Sequence, residues 1–172
     1  MLKLLGATLI IAASSFGGFY IARLYRERPI QLRMLGQALR ILETEIIYGS
    51  NPLYQAMEHI GQRVTGALGL IFLTMSENLL KFDGASTFEC WEDAINQHFH
   101  QTSLKKQDRE ILINFGQTLG ISDKEDQMKH IRMTIQNLAA EESLAREEQK
   151  TYEKLSKNLG VLLGMLIVIL IY

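Results

Sequence analysis

From Leu4 to Ala22 the chain runs for about 19 residues without a charge, long enough as a helix to cross a bilayer core. Lys3 precedes this run, and Arg23, Arg26 and Arg28 follow it. A cleaved signal peptide is the rival reading, and Ala12-Ala13-Ser14 offers weakly suitable small residues. Signal peptides carry their positive charge ahead of the apolar run, whereas here the arginines crowd behind it. Residues 1–23 are therefore read as a retained anchor.

A second apolar run, Leu159 to Tyr172, has about 14 residues, or roughly 21 Å of helix. That falls short of the core thickness of about 30 Å. Starting the segment at Leu155, with Lys157 reaching toward the headgroups, closes much of the gap. A buried core helix would need a polar face, and nothing from Val161 to Tyr172 is charged. Residues 155–172 are read as a second transmembrane segment. Arg23, Arg26, Arg28, Arg33 and Arg40 sit at or just after the inner end of the first anchor; Lys150, Lys154 and Lys157 sit at or just before the inner end of the second. Both clusters belong to the intervening segment, residues 24–154. The positive-inside rule places that segment in the cytoplasm and both termini outside.

Gly160 and Gly164 form a G-x-x-x-G in the second anchor, and Ala13/Gly17 and Gly18/Ala22 repeat that spacing in the first. Such residues let helix backbones approach closely in lipid. Glycine simply tolerated in a membrane helix is the other reading, and the pattern does not choose between them.

Between the anchors the pattern is helical throughout. Two prolines, Pro29 and Pro52, are the only ones in 172 residues, and no Asn-Gly or Asp-Gly is flanked by alternating apolar residues. A first helix fits Pro29 to Tyr48, with Pro29 at its start and Leu32, Leu35, Leu39, Leu42 and Ile46 as its stripe. Gly49 ends it, Asn51 is placed to cap the next, and Pro52 to open it. Leu53, Met57, Ile60 and Val64 line the second helix. The third runs from about Gly66 to Lys81, too short for a membrane span.

Ser86 and Glu89 have capping-box spacing and open a fourth helix containing Trp91. A fifth covers about Leu104 to Leu119 and stops at Gly120. Ser122 and Glu125 open the last, which meets no breaker and would span about 50 residues, about 75 Å, into the membrane. Its stretch from Glu141 to Gln149 reads either as a polar stalk or as an oligomer contact. The expected fold class is all-α: a six-helix bundle between two transmembrane helices.

The chemistry-bearing patterns are sparse. Nucleotide loops, G-x-S-x-G and H-E-x-x-H are missing, and none of the four histidines has a glutamate three residues before it. His98 and His100 lie on different helix sides and read as surface residues. Cys90, the single cysteine, reads as a small core residue and suits a reducing compartment. A net charge of −1 gives no global bias toward nucleic acid. No catalytic residue, cofactor or metal is expected. Glu43 and Glu45, among apolar neighbours, are either a solvated face or a contact for a basic partner.

Two blocks carry a family resemblance. Leu42-Glu43-Thr44-Glu45-Ile46-Ile47-Tyr48-Gly49, followed by Pro52-Leu53 and Ala56, resembles the signature of stage III sporulation protein AB of endospore-forming bacteria. Phe115-Gly116-Gln117-Thr118-Leu119-Gly120, then Ser122-Asp123 and Gln127, is similar to a second block of that family. Where the family commonly has threonine before the Pro-Leu pair, this chain has Asn51. The resemblance spans essentially the whole chain.

It implies a protein required for sporulation, part of the channel complex that connects mother cell and forespore, set in the mother-cell membrane facing the forespore. It also implies a soluble domain similar to the six-helix cytoplasmic domains of type II secretion and type IV pilus platform proteins. Gly49-x-x-Pro52-Leu53-x-x-Ala56 is similar to the Gly-x-x-Leu-x-x-Ala pattern of those platforms. The partners implied are a cytoplasmic secretion-type ATPase and other channel membrane proteins; the resemblance does not say which residues meet them, and Glu43, Glu45, Tyr48, Asn51 and Pro52 are taken as the candidate contacts. The alternative is a pore or structural oligomer built through Gly17, Gly18, Gly160 and Gly164; a secreted bundle is a third reading.

Overall fold

Apolar residues at helical spacing, few breakers and one strong cap dictate helices, and helices are what form. The structure, a computed structural model, describes residues 2–48, 51–81, 84–120 and 124–171. Its elements are α1 (Leu2–Tyr48), α2 (Leu53–Arg63), α3 (Ala67–Leu80), α4 (Thr87–His98), a 3-10 turn (Phe99–Gln101), α5 (Lys106–Gly116) and α6 (Lys124–Ile171). The class is all-α. Among the described residues one helix, within Leu5–Ile47, is long and apolar enough to cross a membrane.

Four boundaries differ from the sequence expectation. Pro29 does not begin a helix; α1 runs straight through it. An internal proline removes one backbone bond at a cost of about 3 kcal/mol. The apolar stripe of Leu32, Leu35, Leu39 and Leu42, all buried, supplies the compensating burial. Asn51 does not cap α2. Pro52 takes the N-cap position, its carbonyl accepting from the Gln55 and Ala56 amides, while Asn51 donates to Glu45 Oε2 (3.3 Å). The fifth helix starts at Lys106 because the Asp108 carboxylate accepts from the Lys105 amide (2.7 Å) and stops extended chain there. Its end comes at Gly116, with residues 117–120 forming a turn.

The remaining boundaries agree with the reading. The Ser86–Glu89 capping box is present in both directions, at 3.2 and 2.7 Å. The expected Ser122 cap lies outside the described residues; from Lys124 the last helix continues unbroken to Ile171.

Two compact units emerge: Ile30–Glu142, and Met1–Pro29 with Ser143–Tyr172. The first, here the central unit, has its core around Trp91, wholly buried between Phe72 and Phe115. The indole N–H donates to the Leu112 carbonyl (2.7 Å), so the one polar atom of that ring is satisfied. Gly116 lets α5 lie against the indole: a Cβ there would collide with the Trp91 ring. Cys90 is buried beside it. His98, expected at the surface, is half-buried and shares a hydrogen bond with Thr74 Oγ1 (2.9 Å).

In the second, here the terminal unit, α1 and α6 pair antiparallel, Ile11 meeting Gly164, Ser14 meeting Gly160, and Tyr25 stacking on Tyr152 at 5.4 Å.

Candidate functional site

A cleft in the central unit is built from residues far apart in the chain. Glu45 and Ile46 end α1, Asn51, Leu53 and Ala56 enter α2, Leu119 and Gly120 close the turn after α5, and Gln127 opens α6. The cavity they line is about 230 Å³. Every lining residue except Asn51 belongs to one of the two blocks singled out in the sequence. Folding joins those blocks into one surface. Gly120 holds the far wall with φ +80°, a conformation that suits glycine, and an added Cβ would meet Thr87 Oγ1 at 2.9 Å.

The candidate contact residues separate. Glu43 and Glu45, two apart on a helix, diverge. Glu43 Oε1 accepts from Arg132 Nε on α6. Its carboxylate therefore meets its own chain instead of forming an open acidic face. Glu45 lies 3.6 Å from His59 Nδ1 and accepts from Asn51, at the cleft wall. Tyr48 is the last residue of α1, and Gly49, Ser50, Ser122 and Asp123 lie outside the described residues. Pro52 starts α2 as described. Lys124 Nζ reaches back to the Ile47 carbonyl (2.7 Å), tying the start of α6 to the end of α1. The cleft thus presents one carboxylate, one amide pair and an apolar floor. Among the described residues no three of His, Cys, Asp and Glu come together as a metal site would require.

In the terminal unit the glycines sort into two kinds. A Cβ on Gly18 would lie 2.6 Å from the Ser156 carbonyl oxygen and 2.9 Å from Gly160 Cα. One on Gly160 would meet Gly18 Cα at 2.9 Å, and one on Gly164 would meet Ile11 Cα at 3.0 Å. Gly17 meets nothing within 4 Å, because it points away from the crossing. Ser14 donates its hydroxyl to the Gly160 carbonyl at the same level.

A buried ion pair follows about three turns further along. Arg28, one of the basic residues that follow the first apolar run, is buried and pairs with Glu148 at 3.0 Å. Glu148, read as part of a polar stalk or oligomer contact, therefore faces α1. Hydrogen bonds from Lys157 and Gln149, with the charges of Lys157 and Arg26, hold the Glu153 carboxyl below its usual range.

Comparison with known proteins fixes the relationship. The family model of stage III sporulation protein AB matches residues 3–172. The chain belongs to the stage III sporulation protein AB family. It is 41% identical over 172 residues to stage III sporulation protein AB of Bacillus subtilis (strain 168), covering 99% of each chain. A solved structure of a stage III sporulation protein AB superposes with a TM-score of 0.69 at 38% identity, covering 73% of this chain and 98% of that one. The family is thus one of sporulation proteins, and its name attaches no catalytic activity.

The sequence marked the two blocks that wall the cleft but not their meeting, because they lie some 70 positions apart.

Proposed function

We propose that the chain is a non-enzymatic platform subunit of a sporulation channel joining mother cell and forespore. Residues 1–23 and 155–172 cross the mother-cell membrane, and residues 24–154 form a cytoplasmic helical domain of the secretion-platform kind. That domain docks a cytoplasmic secretion-type ATPase and neighbouring membrane components.

The observation that carries this reading is the inverted surface of the terminal unit. Its paired helices bring glycine and serine together and turn Phe16, Phe19, Ile21, Leu162, Leu163 and Leu166 outward, Phe16 being 79% exposed. An apolar surface of that extent is stable in lipid and a liability in water. Tyr25 and Tyr152 stack where the charges begin, as aromatic residues do at a membrane interface. The docking part of the proposal rests on the cleft, whose half-buried Ile46 and Leu53 would receive a partner's side chain.

The pore or oligomer alternative is the weaker reading. Gly18 and Gly160 are already used against each other, which leaves Gly17 as the residue open to a second copy. The docking test is co-purification of the full chain with the ATPase from sporulating cells. Leu53→Arg should abolish the association while helical content stays unchanged; undiminished association would remove the cleft from the docking surface.

A further inference from the structure

The terminal unit holds a second cavity, about 350 Å³, lined by Phe19, Ala22, Arg23, Arg26, Glu153 and Lys157. Its position follows from the helix crossing. Gly18 and Gly160 bring the two backbones together, and one turn further on the buried Ala22 is too small to fill the space beyond them. Exposed Phe19 walls the apolar side. Three cations rim the other. Arg23 and Arg26 share one carboxylate oxygen, Glu27 Oε1, at 3.8 and 3.3 Å, and Lys157 pairs with Glu153 at 2.8 Å.

Three positive groups thus face two carboxylates, leaving one net positive charge beside an apolar wall. Arg23 and Arg26 are 70% and 53% exposed, and exposed pairs of this kind are weak enough to exchange partners.

We infer that this cavity binds the phosphodiester headgroup of an anionic phospholipid, with Phe19 against the first acyl carbons and Arg23, Arg26 and Lys157 around the phosphate. The chemistry fits on three counts. Arginine forks match phosphate oxygens. Basic pockets between membrane helices on the cytoplasmic side suit such headgroups. One surplus positive charge matches one phosphodiester. The inference rests on the membrane reading proposed above, since only that reading puts Phe19 at acyl depth.

The test uses the full chain in nanodiscs of mixed phosphatidylcholine and phosphatidylglycerol, followed by native mass spectrometry of the lipid retained on release. Phosphatidylglycerol should be retained over phosphatidylcholine. The combined variant Arg23→Gln, Arg26→Gln, Lys157→Gln should lower its retention by about tenfold or more. Ala22→Leu, which fills the cavity and keeps every charge, should lower it too. Neutralising three exposed cations of the central unit, Arg63, Lys106 and Lys129, should leave it unchanged.

Equal retention of both lipids, or an equal loss in that control, overturns the site. So does inorganic phosphate that stabilises the lipid-free chain and displaces the lipid, because the ligand is then a free anion. Alkaline carbonate extraction separates the two layers of the argument. A chain that stays in the membrane yet shows no lipid preference sinks this site alone. A chain extracted as soluble protein sinks the membrane reading, and this site with it.

Discussion

The terminal and central units use glycine for the same geometric purpose and apolar side chains for opposite ones. In the central unit Gly61, Gly69 and Gly116 allow close contact with Leu73, the Val64 carbonyl and Trp91, and large side chains fill the interior. In the terminal unit Gly18 and Gly160 bring two backbones into contact, and the large side chains point outward. Water drives the first arrangement through burial of apolar area. On the membrane reading proposed above it does not drive the second, where backbone contact and a hydroxyl-to-carbonyl bond hold the pair. The comparison teaches that similar close contacts at glycine accompany opposite placements of leucine and phenylalanine, inward in the central unit and outward in the terminal one.

If the central unit is held by burial, its largest loss comes from its largest buried ring. Trp91→Ala removes the indole and its bond to the Leu112 carbonyl, and should cost about 4 kcal/mol in urea unfolding of the solubilised chain. A cost under about 1 kcal/mol would show that the core closes over the space, and the contrast with the terminal unit would lose its basis.

The terminal unit should break at backbones instead. Gly18→Leu or Gly160→Leu forces the helices apart, at about 1–3 kcal/mol in thermal unfolding in micelles. Either change should lower cross-linking between Tyr25→Cys and Tyr152→Cys. Gly17→Leu, with open space around it, should do neither. Equal effects from Gly17 and Gly18 would contradict the crossing.

Two arginine–glutamate pairs sharpen the comparison further. Arg28 is buried at its pair with Glu148, so Arg28→Ala should cost about 2 kcal/mol. Arg33, half exposed at its pair with Glu142 in the central unit, should cost under about 1 kcal/mol when changed to alanine. Reversed magnitudes would put the interior of the terminal unit elsewhere.

The smallest effect is pH-dependent. Glu153 has its carboxyl held low, so its contribution is complete above the ordinary value of 4.5 and is lost as pH falls through the lowered folded value. Thermal stability of wild type and Glu153→Gln should therefore differ by a constant amount at neutral pH and converge only in acid. Convergence between pH 6 and 8 would assign the dependence to another group.

Much of this was legible from local patterns, and the misses share a cause. Ser86 and Glu89 cap a helix using nothing outside themselves, so spacing was sufficient. Asn51 has the right chemistry for a cap, yet Pro52 takes the N-cap position and the Asn51 side-chain amide N–H donates to Glu45, six residues earlier. Pro29 looked like a helix start because a lone proline usually is one; only the buried stripe after it explains why α1 continues. The small-residue spacing marked both terminal segments, but Gly17 and Gly18 are alike until their surroundings are known. The cleft illustrates the general limit, since a partner some 70 positions away leaves no local trace.

In the proposed reading residues 1–23 and 155–172 cross one membrane and residues 24–154 are cytoplasmic. Reporter fusions after Asp83 and after Tyr172 in intact cells test it directly. The account predicts that green fluorescence marks the first junction and alkaline phosphatase activity the second. The same reporter active at both junctions would contradict it.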